Sequence, residues 1–213
     1  MRPIVYIALG IIGLGLIGMV WRLFSRRREL PCPTWLGWMV EIDNPFTKVN
    51  RVQTVVGLLE LAPGMKVLDA GCGPGRLTLP LAEAVGVQGE VLALDLQAGM
   101  LARVREKVQA ARLQNVQYMQ TGLAESKLPN AYFDRALLVT VLGEIPDQKA
   151  ALKEIHGALK PGGILSVTEV IFDPHFQRRE TVSHLAQAAG FKEKDFFGKS
   201  LAYTMHFRKR ATA

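Results

Sequence analysis

From residue 52 onward the apolar positions alternate between two spacings. Val52, Val55, Val56 and Leu59 recur at helical intervals and stop at Pro63-Gly64. Lys66–Ala70 is a short apolar run that predicts a strand, followed by a helix at about 75–85 and a second strand at Glu90–Asp95. A helix over 97–112 would bury Met100, Leu101, Val104 and Val108 on one face. Val116–Gln120 and Asp134–Val139 read as strands, the latter so apolar that both its faces should be covered. A helix from about 147 to 159 ends at Lys160-Pro161-Gly162-Gly163. Ile164–Val170 is the next strand, 179–189 a helix, and Phe191–Phe197 with Ala202–Arg208 a closing pair of strands. Strand and helix alternating in this way predict a doubly wound α/β fold, its sheet mostly parallel and covered on both faces.

The first thirty residues follow a different pattern. Pro3 to Trp21 are 19 consecutive uncharged residues, ten of them Ile, Leu or Val. As a helix they would extend roughly 28 Å, close to the ~30 Å hydrocarbon core of a bilayer. Arg22, Arg26, Arg27 and Arg28 follow the run and only Arg2 precedes it. By the positive-inside rule this predicts a single-pass anchor with the rest of the chain in the cytoplasm. A buried core helix and a cleaved signal peptide are the alternatives; Phe24-Ser25-Arg26 offers no small-residue cleavage site for the latter. The expected organisation is therefore an anchor with a basic juxtamembrane segment at 1–30, a linker at 31–50 and a catalytic domain at 51–213. Trp35, Leu36, Trp38, Met39 and Ile42 share one helical face in the linker, suited to lying in a membrane interface or to covering the domain as a lid.

Composition narrows the classes further. The 213 residues are 49% hydrophobic and 21% charged, which argues against disorder. The net charge is +7, but residues 1–30 carry five arginines against one glutamate, and the remainder is nearly balanced. No nucleic-acid footprint is expected from such a body. Cys32 and Cys72, the two cysteines, cannot build a disulfide scaffold, and His156, His175, His184 and His206 lack the spacing of metal ligands.

The chemistry concentrates at strand ends. Val67-Leu68-Asp69-Ala70-Gly71-Cys72-Gly73-Pro74-Gly75 runs from a buried strand through alternating glycines into a helix. Such a turn admits close approach of a ligand to the backbone. Taken alone it also fits a packing turn or a dinucleotide site. Asp95, 20 residues beyond Gly75, ends the second strand, where a carboxylate can accept both hydroxyls of a ribose. A helix N-cap is the other role open to it.

VLDAGCGPG, VLALDLQAGML, FDRALLVTVLGEIPD and LKPGGILSVTEV, in that order and spacing, resemble four motifs of the class I S-adenosylmethionine-dependent methyltransferases. The resemblance is nearest to the type-11 domains that include quinone-ring and phospholipid-headgroup enzymes, and it covers 52–208. It implies a Rossmann-like, seven-stranded sheet with an antiparallel last strand and S-adenosyl-L-methionine as cofactor. Asp69, Gly71 and Gly73 would hold the methionine part, Asp95 the ribose, and Leu96 and Met100 the two faces of the adenine. Where the family commonly has Gly-Asp-Ala after the third strand, this chain has Gly122-Leu123-Ala124, so the acid facing the adenine amine is missing. Leu123 and Ala124 would then make an apolar and backbone contact. Thr140 would lie near the amino-acid end.

The Asn-Pro-Pro-Tyr signature of amide and adenine N-methylation is absent, replaced by Val141-Leu142-Gly143-Glu144. Glu144 and His175 follow the ends of consecutive strands and are the candidate catalytic groups. An imidazole titrates near neutrality and suits a general base. A loop histidine without a role and a helix N-terminal charge are the plainer alternatives. The expected function is a membrane-anchored methyltransferase with the bilayer as partner and a lipophilic acceptor, a phospholipid amine or a quinone-type ring. A small hydrophobic thiol or xenobiotic, or a non-catalytic cofactor-binding scaffold, are the rivals. The oligomeric state is left open.

Overall fold

The computed structural model describes residues 47–210 and 41–43, with the single positions Tyr6 and Gly37. Seven strands form one sheet: β1 Lys66–Ala70, β2 Glu90–Asp95, β3 Val116–Gln120, β4 Phe133–Val139, β5 Leu159–Val170, β6 Phe191–Lys199 and β7 Ala202–Lys209. Their order is β3-β2-β1-β4-β5-β7-β6. The first five are mutually parallel, while β7 runs antiparallel to both β5 and β6.

Five helices cover the sheet: α1 Val52–Leu58, α2 Thr78–Val85, α3 Ala98–Ala110, α4 Gln148–Ala158 and α5 Arg179–Ala188. Alternate side chains of each central strand enter opposite cores, as the period of two requires. Val67, Val91, Ala93 and Leu137 pack with Val55 of α1, Leu81 and Val85 of α2, and Leu101, Val104 and Val108 of α3. Leu68, Ala70, Leu92, Leu94, Ala136 and Leu138 pack on the other face with Leu152 and Ile155 of α4 and Val182 and Leu185 of α5. This two-sided burial explains why the central strands are nearly continuous apolar runs.

One expectation of the architecture is corrected. No helix among the described residues is long and apolar enough to cross a membrane. The longest, α3, has 13 residues, which is about 20 Å against a ~30 Å hydrocarbon core. The fold is thus the sheet and its helices, with no transmembrane element among the described residues. Residues 3–21, apart from Tyr6, lie outside the described set, as do Trp35, Leu36, Trp38 and Met39 of the linker.

The described part of the linker lies against the domain. A Cβ on Gly37 would fall 2.8 Å from Arg103 Nη1 and 3.5 Å from Met100 Sδ. Lys107 Nζ pairs with Glu41 Oε1 at 2.8 Å, and Arg76 Nη1 with Asp43 Oδ1 at 2.9 Å. Ile42 is exposed.

Candidate functional site

The order β2-β1-β4 places the reversal of strand order between β1 and β4, and the carboxyl ends there are where open α/β sheets bind ligands. β1 runs into the glycine turn at that point. Gly71 has φ +71°, and a Cβ on it would strike Val141 at 2.6 Å. Gly75 has φ +86° and would meet Val104 at 3.2 Å. Both are therefore demanded by the protein's own packing. Gly73 differs: φ is +52° and nothing lies within 4 Å of an added Cβ. It presents bare backbone to open space, the condition for close approach of a ligand.

Asp95 ties this turn to the start of α3. Its Oδ2 accepts from Gly73 N–H at 2.9 Å and its Oδ1 from Gln97 N–H at 2.8 Å. The helix-entry role and a ribose-binding role are compatible, because each carboxylate oxygen keeps a second acceptor direction. Burial raises the Asp95 pKa above the usual carboxylate value, and the two N–H donors oppose the rise. Asp69, at the end of β1, accepts from Thr78 Oγ1 at 2.7 Å. Desolvation pushes its pKa up to about 6.

The residues expected around an adenine divide. Leu96 is 58% exposed beside Gly122 and offers an open apolar face. Met100 is buried yet belongs to neither core; it lies beneath Gly37. Leu123 and Ala124 lean on the core packed around α4. Ala124 has φ +76°, and its N–H donates to Glu154 Oε2 at 2.6 Å. Glu154 Oε1 accepts from Lys127 and Leu128 N–H at 2.8 and 3.2 Å, so one α4 carboxylate shapes the whole loop after β3. Glu125 brings a further carboxylate there, accepting from Gly122 N–H at 2.9 Å. Neither acid is signalled by a local motif.

Beyond β4 the chain enters a second group of acids. Thr140 has φ +57°, unusual for a β-branched residue, and its N–H donates to Thr168 O at 2.8 Å. It stands at the carboxyl end of β4, as expected. A single 3-10 turn, Leu142–Glu144, then carries Glu144 to within 3.6 Å of His175, from Oε1 to Nδ1. Asp173 Oδ1 lies 4.0 Å from the same nitrogen and accepts from the His175 N–H at 2.7 Å. A Cβ on Gly143 would come 1.9 Å from the His175 carbonyl oxygen, so this approach needs glycine.

Burial, followed by the charges of Asp173 and Asp95, pushes Glu144 up to about 8. Val141, three residues before Glu144, lies against the same glycine turn that Asp95 holds. Glu169, within β5, is 1% exposed; its Oε2 accepts from Gln177 N–H at 3.0 Å, and its Oε1 has no hydrogen-bond partner. Burial, then Asp173 and Glu144, push it up to about 8 as well. Among the described residues no group of three His, Cys, Asp or Glu is arranged to hold a metal ion. Cys72 is buried in the turn and burial raises its thiol pKa, which disfavours the reactive thiolate.

The site fits a nucleoside bearing positive charge. Gly73 leaves room along the turn, Asp95 can take ribose hydroxyls, Leu96 presents an apolar face, and Asp69, Asp95 and Glu144 are all destabilised as anions by burial. A sulfonium would relieve that cost.

Residues 67–163 match a family described as a methyltransferase domain. A demethylmenaquinone methyltransferase of Bacillus cereus is 37% identical over 106 residues, covering 50% of this chain and 45% of that protein. A counterpart from Geobacillus stearothermophilus is 37% identical over 110 residues, covering 52% and 47%. The chain thus spans about half the length of the curated relatives it matches. A SAM-dependent methyltransferase from Aquifex aeolicus superposes with a TM-score of 0.71 at 21% identity, covering 84% of this chain and 100% of that one. The glycine turn with its acid-tipped second strand and this match together identify residues 67–163 as a methyltransferase domain, on the fold of a SAM-dependent methyltransferase.

Proposed function

We propose that the protein methylates the ring of a lipophilic, hydroxylated aromatic acceptor of the quinol type. The reading rests above all on the Glu144–His175 pair, set beside the cofactor turn at the ends of β4 and β5. The name carried by its relatives, demethylmenaquinone methyltransferase, supports the same acceptor class. S-adenosylmethionine, when bound, supplies a methyl carbon already activated for displacement. The chain's own residues do the rest. Asp95 and the glycine turn orient the donor, and proximity of that kind can contribute several kcal/mol or more of the barrier lowering. The Glu144 carboxylate or the His175 imidazole accepts the ring hydroxyl proton, which raises the nucleophilicity of the adjacent ring carbon.

A phospholipid amine is the second reading. The acids Glu144, Asp173 and Glu169, each within electrostatic reach of another, would favour a cationic acceptor. Incubation with methyl-labelled cofactor and, separately, a demethylated quinol, phosphatidylethanolamine vesicles and a thiol panel tests these readings. Label in the quinol with release of S-adenosylhomocysteine is the expected result. Label in the lipid or thiol alone would replace the acceptor, and cofactor binding without release would leave a scaffold.

A further inference from the structure

We propose that a groove between residues 171–178 and the β6–β7 hairpin holds the hydrocarbon chain of the acceptor while its ring lies at Glu144 and His175. The inference rests on the ring-acceptor reading above. The groove has a volume of about 710 Å³ and is lined by the apolar Ile171, Phe176, Phe196 and Leu201 together with Arg178, Arg179, Glu180 and Ser200.

Its place in the sheet argues for this occupant. β5 ends at Val170, paired with Ala202 at the start of β7. Ile171 N–H then donates to Leu201 O at 2.8 Å, closing the hairpin tip onto the loop. The groove therefore opens at the same sheet edge as the glycine turn and Glu144, displaced one strand further along it. Neighbouring residues of one loop serve the two compartments. His175 faces Glu144, whereas Phe176 packs edge-on to Tyr203, with ring centroids 6.2 Å apart. Tyr203 stacks on Phe196 at 5.8 Å, and the Arg179 guanidinium covers Phe196 at 4.2 Å. Consecutive Cα atoms are about 3.8 Å apart, so the residues that border the ring site and the groove are adjacent on this loop.

The loop is also built to hold its shape. Tyr203 Oη donates to Gln177 O at 2.7 Å, and Gln177 N–H donates to Glu169. The size falls in the small-ligand pocket range of about 300–1,000 Å³. Leu201, at the hairpin tip where a turn is ordinarily polar, is 57% exposed and lines the groove, and Phe172, next to Ile171, is exposed too.

The test is a series of demethylated quinols carrying zero to four isoprene units, assayed for methylation in detergent. For the unaltered protein kcat/KM should rise at least tenfold along the series. Leu201→Asp should flatten it and Leu201→Met should restore it, with cofactor affinity reporting that each variant is folded. A flat series for the unaltered protein, or a slope retained in Leu201→Asp, overturns the groove assignment. If no ring acceptor is methylated, the ring reading fails and the groove is tested separately by calorimetry with farnesol. Saturable binding weakened at least tenfold by Leu201→Asp upholds an apolar-chain site; no saturable binding removes it.

Discussion

Glu144 Oε1 stands 3.6 Å from His175 Nδ1, although the two residues follow different strands. The 3-10 turn after β4 and the loop after β5 meet there, and Asp173 holds the histidine backbone from the other side. Val141, just before this 3-10 turn, lies against the glycine turn that Asp95 holds. Under the proposed function, a proton acceptor so placed would serve the acceptor ring rather than the cofactor.

If the two side chains act as one unit, Glu144→Gln and His175→Asn should each lower kcat by about 10²-fold or more. The double variant should fall little below the worse single one, since groups that share one step are not additive. Cofactor affinity should stay unchanged. Because burial holds Glu144 protonated up to about pH 8, a proton-accepting carboxylate would give a rate that rises as pH passes that value, and the rising limb should vanish in Glu144→Gln. Two fully multiplicative losses would show independent roles.

Asp95→Ala removes an acceptor that holds Gly73 N–H and is placed for ribose hydroxyls. The cofactor Kd should rise at least tenfold, equivalent to about 1.4 kcal/mol for a lost charge-assisted hydrogen bond. Asp95→Asn should recover part of the loss, because the amide oxygen still accepts. Calorimetry with S-adenosylmethionine measures both, and an affinity equal to that of the unaltered protein would detach Asp95 from the cofactor.

The part of this site carried by local pattern was legible in the chain. β1 and β2 begin and end where the pattern places them, because strands buried on both faces leave nearly uninterrupted apolar runs. The turn and its acid follow from one motif and one strand end. The pattern failed where tertiary pairing overrides local signals. Lys160-Pro161-Gly162-Gly163 reads as a helix terminator before a strand at Ile164, yet β5 already starts at Leu159, paired with Phe133. The register then shifts, with Gly162 at φ +80°. α2 begins at Thr78 rather than 75, because Gly75 at φ +86° still belongs to the turn. The hold of Glu154 on the loop after β3 is a contact between distant segments, which no spacing announces.

Glu169 makes the pH dependence of stability testable. An unfolded glutamate titrates near 4.5, whereas burial moves Glu169 to about 8 in the folded protein. Below 4.5 both states carry the proton. Between the two values only the folded state keeps it, so stability falls as pH rises from about 4.5 to about 8 and then levels off. Glu169→Gln keeps an oxygen for Gln177 N–H without the charge. Thermal unfolding should match the unaltered protein at pH 4 and exceed it at pH 9 by about 4 °C or more, the equivalent of roughly 1–2 kcal/mol in a domain of this size. A variant less stable at pH 9 would mean that the native state stabilises the Glu169 carboxylate rather than penalising it.

Gly143 provides the sharpest test of the geometry, because it touches neither donor nor acceptor chemistry itself. A Cβ there would sit 1.9 Å from the His175 carbonyl oxygen, a separation that backbone must relieve by moving. Overpacking of this kind typically costs about 1–3 kcal/mol, which the two large cores on either side of the sheet can absorb. Gly143→Ala should therefore fold and bind S-adenosylmethionine with unaltered affinity, since the glycine turn and Asp95 belong to other segments. The displaced loops would separate Glu144 from His175, and a misplacement near 1 Å can reduce turnover by about 10²-fold. Combining Gly143→Ala with His175→Asn should add little to the histidine loss if the glycine acts only through that pair. Full activity in Gly143→Ala would mean that the close packing of these two loops has no part in catalysis.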